Sequence, residues 1–147
     1  MRTPLRGLRS LIHQVMAACC LVIQFFTGMR VSELCSLKGG YDKATGLPRG
    51  VVRRISPSGL NEEFVVTAQL IKGKDQPEEE QWLLASRRIG DTEEPITIRA
   101  LIVLNELLDT YRKMLGTDSL LVYLTAQAGL PANSSGVSEV DGTHILK

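Results

Sequence analysis

The chain has 147 residues, of which 44% are hydrophobic and 22% are charged, and its formal net charge at pH 7 is +1. These values are typical of one globular domain, and they exclude a disordered chain, a fibrous chain and two ordinary domains. The charge is unevenly distributed, because residues 1–74 carry 11 Lys and Arg against 4 Asp and Glu, whereas residues 75–147 carry 6 against 12. The first half is therefore basic enough to face a phosphate backbone.

The cysteine and histidine pattern argues against disulfide bonds and against a metal site. The cysteines number three, two of them adjacent, and they are Cys19, Cys20 and Cys35. An odd number without a Cys-x-x-Cys pair is not a disulfide or zinc framework, and His13 and His144 are isolated in the sequence. We therefore expect buried, reduced thiols in a cytoplasmic protein that holds no metal and no cofactor.

The N-terminal region resembles a signal peptide in composition, since three arginines precede an apolar stretch, but no small-residue cleavage site closes it. Its continuous apolar run, residues 15–23, is shorter than the ~20 residues that a membrane span needs. We expect a helix that ends at Thr27-Gly28, because glycine readily forms the helix C-cap. Apolar residues are frequent all around this helix, which predicts a central helix packed on several sides. The stripe with helical spacing contains Leu8, Leu11, Ile12, Val15, Cys19, Val22 and Phe26.

A second, short helix is predicted over residues 29–38, because Gly39-Gly40 would stop it. Its buried side is expected to contain Val31, Leu34, Cys35 and Leu37. Residues 39–50 are rich in glycine and predict a loop.

The periodicity then changes to that of strands. Short strands are predicted over residues 51–55, 63–71 and 81–85, with a polar turn over residues 73–80. Three consecutive strands with short connections predict a small antiparallel meander.

A third helix is predicted to begin near Pro95, which is tolerated in a first turn, with Asp91 or Thr92 as its cap, and to end at Gly116. A brief apolar stretch follows over residues 119–124, and after Gly129 we expect a loop or an unfinished element. The fold class that these elements predict is α+β, mostly helical with a small three-stranded antiparallel sheet.

Residues 25–37 read Phe-Phe-Thr-Gly-Met-Arg-Val-Ser-Glu-Leu-Cys-Ser-Leu. This segment resembles the first arginine motif of the tyrosine recombinase, or phage integrase, family. The order of the predicted elements also resembles the first part of that family's catalytic domain, over about residues 8–125. The remaining residues 126–147 are expected to be a loop or a truncated tail. The resemblance implies an integrase-like catalytic domain fragment over residues 1–147.

Arg30 is the residue of this motif with a direct chemical use. A guanidinium holds two phosphate oxygens in a planar fork, and the expected position at the start of a helix favours an anion through free N–H groups. Glu33, one turn further on, would fix the local backbone or orient a basic side chain. The resemblance implies that Arg30 is a catalytic arginine that clamps the scissile phosphate.

The resemblance also implies a catalytic lysine on the hairpin between the second and third strands, where it protonates the leaving 5′ oxygen of the DNA. Lys72 and Lys74 both lie at this place and share strand parity, so either one fits; the family's frequent Gly-Lys order favours Lys74. The acidic residues 78–80 would repel a phosphate backbone, so we expect them to point away from DNA. Trp82 resembles a tryptophan of some integrases, but we expect it to serve in packing.

The family's chemistry also needs a His-x-x-Arg box, a later His or Trp, and a nucleophilic tyrosine. His144-Ile145-Leu146-Lys147 resembles the box only superficially, with Lys in the place of Arg, and we expect an ordinary tail there. The tyrosines Tyr41, Tyr111 and Tyr123 do not occupy the nucleophile's place. The family's N-terminal core-binding domain has no counterpart in these residues either.

We therefore expect a fragment of a site-specific recombinase, acting in DNA recombination and integration, that binds double-stranded DNA and has no turnover by itself. Its partners are expected to include neither a membrane nor a small-molecule substrate, and the full-length form is expected to self-associate. The alternatives are a non-catalytic DNA-binding or regulatory remnant of the same fold and an unrelated structural α+β domain. Four further arginines are candidates for contacts with the DNA backbone, although we expect each of them mainly to keep the surface soluble. They are Arg6, Arg9, Arg53 and Arg54.

Overall fold

The computed structural model describes residues 4–70, 78–125 and 129–140. It confirms the α+β class, with 40% helix and 28% strand. The elements in chain order are α1 (Pro4–Thr27), α2 (Val31–Cys35), β1 (Val51–Ile55), β2 (Asn61–Leu70), β3 (Glu78–Arg88), α3 (Ile96–Leu115), β4 (Val122–Leu124) and β5 (Val137–Glu139).

The three-stranded sheet has the order β1-β2-β3, and both strand pairs are antiparallel, as the meander pattern predicts. Val66 pairs with Val51 on one side and with Trp82 on the other, and this row faces the core. Both β2 and β3 are longer than predicted. The acidic residues 78–80 consequently belong to β3 and not to the turn. All three are exposed in this strand.

The main core lies between α1, α3 and the sheet. On α1 the buried side chains are Ile12, Met16, Cys20 and Ile23. The predicted stripe is partly wrong. Ile12 is buried and Cys19 and Val22 pack half-buried against the core, whereas Leu8, Leu11 and Phe26 are exposed. Apolar residues lie all around α1, and its contacts with α3 and β3 bury a face that overlaps the predicted stripe only in part.

The third helix ends as predicted, with Gly116 in the left-handed conformation at φ 73°. Its start differs from the prediction, because Pro95 is itself the N-cap residue and no side chain caps the helix. Asp91 instead accepts a hydrogen bond from the backbone N–H of Glu93 in the preceding loop. Thr97 of the first turn donates to the Leu84 carbonyl at 2.8 Å and thereby ties α3 to β3.

The segment after Gly129 is more ordered than its composition predicts. A 3₁₀ turn over Ser134–Gly136 leads into β5, which pairs antiparallel with β4. Val137 and Val140 are buried against the core. Two three-residue strands are too short for a periodicity signal, which is why the sequence predicted a loop here.

The three cysteines are free thiols, as the sequence predicts. Cys20 is completely buried, and its burial raises the pKa of the thiol to about 12. Cys19 and Cys35 are half-buried, and burial also raises the pKa of Cys19. Within the described residues no group of three or more metal-ligating side chains occurs.

Candidate phosphate-binding site

The site begins at the turn between α1 and α2. Thr27 Oγ1 donates to the Ile23 carbonyl at 2.7 Å and accepts from the backbone N–H of Met29 at 3.1 Å. Gly28 has a φ of 72°, which L-residues with a Cβ rarely adopt. Met29 then enters the core with 3% of its surface exposed. Each of these residues therefore contributes to holding the backbone that precedes Arg30.

Glu33 fixes the backbone of Arg30 itself. The Arg30 N–H donates to Glu33 Oε2 at 2.6 Å, and Arg30 is the N-cap residue of α2 in an extended conformation. The Glu33 side chain is buried beside Leu34. The expectation that Glu33 fixes the local backbone is confirmed. The Arg30 N–H itself is occupied by the Glu33 carboxylate, so an anion at this turn would have to use other N–H groups of the helix start.

The Arg30 side chain is exposed and forms no ion pair with any described carboxylate. Other basic side chains of the first half are neutralised locally. Arg54 pairs with Glu63 at 2.9 Å, and Arg53 lies 3.8 Å from Glu62. The basic character expected of the first half is consequently concentrated on few side chains, and Arg30 is one of them.

Arg6 and Arg9 are two further candidates for contacts with the DNA backbone. Arg9 is half-buried and lines a cleft with His13 and Tyr123, whereas the side chain of Arg6 lies outside the described side chains.

Ser36 connects the Arg30 helix to the sheet, which the sequence did not predict. Its hydroxyl donates to the Glu33 carbonyl at 2.6 Å and accepts from the Gln69 N–H at 3.0 Å. Gln69 lies near the end of β2, directly before the segment that contains Lys72 and Lys74. Both lysines lie outside the described residues. The structure thus brings the Arg30 helix to the end of β2 from which the lysine-bearing segment continues.

Asp118 is a second residue that sequence patterns did not indicate. Its carboxylate accepts from Lys38 at 3.1 Å and from Arg49 at 3.4 Å. The hydrogen bond from Lys38 holds the pKa of Asp118 below its usual value, and the charges of Lys38 and Arg49 act in the same direction. Two further cations of the basic half are therefore paired, although all three side chains remain half-exposed.

The tyrosines occupy three separate environments. Tyr41 is in the loop before β1, Tyr111 is half-buried on α3, and Tyr123 stacks on His13 with 4.2 Å between ring centroids. His13 Nε2 also accepts a hydrogen bond from the Leu124 N–H at 3.1 Å. His144 lies outside the described residues. Trp82 is half-buried against the core, which agrees with a packing role.

Arg30 thus combines an exposed guanidinium, which pairs with no described carboxylate, with a backbone that Thr27, Met29 and Glu33 hold in place. Comparison of the chain with models of protein families, with curated proteins and with solved structures finds no match. The resemblance of residues 25–37 to the integrase arginine motif therefore rests on those residues themselves.

Proposed function

We propose that this chain is part of a site-specific DNA recombinase of the tyrosine recombinase type, and that it binds double-stranded DNA through a backbone phosphate held by Arg30. The observation that carries the proposal is the exposed, unpaired Arg30 guanidinium at a turn whose backbone is fixed by Thr27, Gly28 and Glu33. A planar guanidinium suits bidentate phosphate binding, and a fixed backbone keeps the point of attachment of the side chain in one place.

The contact of Ser36 with Gln69 adds support of a second kind. It joins the Arg30 helix to the end of β2, and the sequence continues from there to Lys72 and Lys74. In the proposed enzyme, Arg30 stabilises the negative charge on the phosphate and Lys74, or else Lys72, gives a proton to the leaving 5′ oxygen. The full enzyme would use a tyrosine nucleophile to form a phosphotyrosine bond, releasing that 5′ oxygen as a hydroxyl.

The experiment is a salt titration of duplex binding, measured by fluorescence anisotropy with a labelled duplex between 50 and 200 mM salt, a range over which phosphate contacts weaken strongly. Removing one phosphate contact with Arg30→Ala should lower the log–log slope by about 0.9. Arg30→Lys should keep the slope and lose affinity, because it keeps the charge but not the planar fork.

Arg88→Ala is the matched control, because Arg88 is exposed, forms no ion pair with a described carboxylate, and lies at the opposite end of β3 from Glu78. The ten-residue step from Glu78 to Arg88 along β3 corresponds to about 33 Å, so Arg88 is far from the strand end that lies near the Arg30 helix. This variant should keep the wild-type slope. No duplex binding by the wild type, or the same slope for Arg30→Ala as for the wild type, would refute the proposal and favour an unrelated structural domain.

A non-catalytic DNA-binding remnant of the same fold is the second candidate. The packing of Tyr123 on His13 and the partial burial of Tyr111 favour it, since a nucleophile must reach the phosphate. Such a remnant would show the same salt dependence of duplex binding as the enzyme, but it would form no covalent bond with DNA.

A further inference from the structure

Helix α1 carries a second apolar face that the fold leaves exposed. Phe25 is 83% exposed, Leu21 63% and Leu11 52%, and Ala18 between them is exposed as well. Leu8 and Phe26 extend the same face at its edge. At 100° per residue these side chains lie within about 140° of the helix circumference, on the side opposite to the core-facing residues.

The exposed face is uncharged along its length. No Asp, Glu, Lys or Arg occurs between Arg9 and Arg30, and the one polar side chain on the face, Gln14, is within hydrogen-bond distance of Ser10 at 3.4 Å. A monomer rarely exposes so many large apolar side chains on one surface, and such a patch normally marks an interaction site.

The large side chains of this face are placed at equal distances on either side of Ala18. Leu11, Ala18 and Phe25 follow one another at intervals of seven residues, so they lie nearly in one line along the helix. In an antiparallel pair centred on Ala18, Leu11 of each helix lies opposite Phe25 of the other, and Val15 opposite Leu21. The small Ala18 at the centre permits close approach of the two helices.

We infer that α1 forms a symmetric, antiparallel contact with α1 of a second copy of this chain. Covering one phenylalanine buries about 150–250 Å², so the exposed parts of the two phenylalanines and three leucines offer roughly 500 Å² per chain. A two-fold contact would then remove roughly 1,000 Å² from water, which reaches the lower limit of a specific interface. A weak dimer that depends on concentration is the expected result.

A lipid surface is the competing occupant of this face. Gly7–Thr27 is long and apolar enough to cross a membrane by length and composition. Its other face, however, is packed into the protein core through Ile12, Met16 and Cys20. A helix that lies on a lipid surface also normally carries Lys or Arg along its polar side, and this helix has none between residues 10 and 27.

The test is sedimentation velocity of the 147-residue chain over a concentration series, with circular dichroism to confirm that each variant is folded. The wild type should change from monomer to dimer as its concentration rises. Phe25→Glu and Ala18→Glu should each keep the fold, because both side chains are exposed, and should remain monomeric at the highest concentration. The matched control is Leu60→Glu, which changes an equally apolar residue with 72% exposure outside α1 and should keep the wild-type association.

Helix direction is tested by cross-linking under mild oxidation. A mixture of Leu11→Cys and Phe25→Cys chains should give a mixed covalent dimer, and neither chain alone should give one through its introduced cysteine. The native cysteines are replaced by alanine in both chains. A wild-type monomer at all concentrations, flotation with anionic vesicles in place of dimerisation, or a dimer that Phe25→Glu leaves intact would each overturn the inference. Arg30→Ala should dimerise normally, so this result is independent of DNA binding.

Discussion

Arg112 lies directly against the backbone of Gly39, so that a Cβ placed on Gly39 would approach Arg112 Nε to 2.3 Å. Arg112 is buried, and its guanidinium donates to the carbonyls of Ser119 at 2.8 Å and Leu120 at 3.0 Å. The Leu120 N–H in turn donates to the Leu37 carbonyl. This arginine therefore joins the end of α3 to the segment that follows α2.

Gly39→Ala should destabilise the protein, because the added methyl group displaces Arg112 and breaks its two hydrogen bonds to carbonyls. We expect a loss of about 2–4 kcal/mol in the free energy of unfolding, measured by urea titration. Gly7→Ala is the control, since nothing lies within 4 Å of the added methyl group in that helix. It should stabilise by up to about 1 kcal/mol. Equal stabilities for the two variants would contradict this account of Arg112.

Asp118 should make a small contribution to stability that depends on pH. Its pKa in the folded state is lowered from 3.8, so the contribution is present above that value and disappears as the pH falls through the lower, folded-state pKa. The group is exposed, so solvent screening keeps the effect small. Asp118→Asn should lower Tm by about 1–2 °C at pH 7.

The Tm difference between Asp118→Asn and the wild type should shrink towards zero in strong acid, where the wild-type carboxylate is also neutral. Glu106→Gln is a suitable control, because Glu106 is exposed on α3 and forms no ion pair with a described basic residue. A Tm difference that stays constant from pH 7 to pH 2 would show that the charge of Asp118 is not responsible.

Cys20 should resist alkylation in the folded protein. Reaction requires the thiolate, and a pKa of about 12 leaves almost none at pH 8. Pulsed iodoacetamide labelling followed by mass spectrometry should modify Cys20 last, at a rate limited by unfolding, and all three cysteines should react rapidly in urea. Fast modification of Cys20 under native conditions would mean that its core position is wrong.

The sequence predicts well where one local signal decides the structure, as at Gly28, at Gly116 and in the three strands of the sheet. It predicts poorly where two faces of one element are equally apolar, because local sequence then does not decide which face is buried. Both faces of α1 are apolar, and contacts with α3 and the sheet, which local sequence does not encode, select Met16 and Cys20 for the core. The contacts of Ser36 and Asp118 join residues far apart in the chain and leave no periodic pattern, so these partners could not be read from spacing.

The isolated chain should form no covalent adduct with DNA. Tyr123 is stacked on His13, and Tyr111 is half-buried on α3, so neither is presented as a free nucleophile. Incubation with a nicked suicide duplex that contains candidate sites, followed by denaturing electrophoresis, should leave all label at the position of free DNA. Label that migrates with the protein and is lost in Tyr41→Phe would identify Tyr41 as a nucleophile and contradict the prediction.

Glu33 should act on DNA binding only through the position of Arg30. Glu33→Ala removes the acceptor of the Arg30 N–H, and we expect it to lower the free energy of unfolding by about 1–2 kcal/mol. The guanidinium remains, so duplex affinity should fall while the salt slope keeps its wild-type value. Glu33→Gln retains an acceptor oxygen and should recover part of both losses. Ser32→Ala, an exposed neighbour on the same helix, serves as the control. If the salt slope falls in Glu33→Ala by as much as in Arg30→Ala, the guanidinium no longer reaches the phosphate. If Glu33→Ala is as stable as the wild type, Glu33 does not cap the helix.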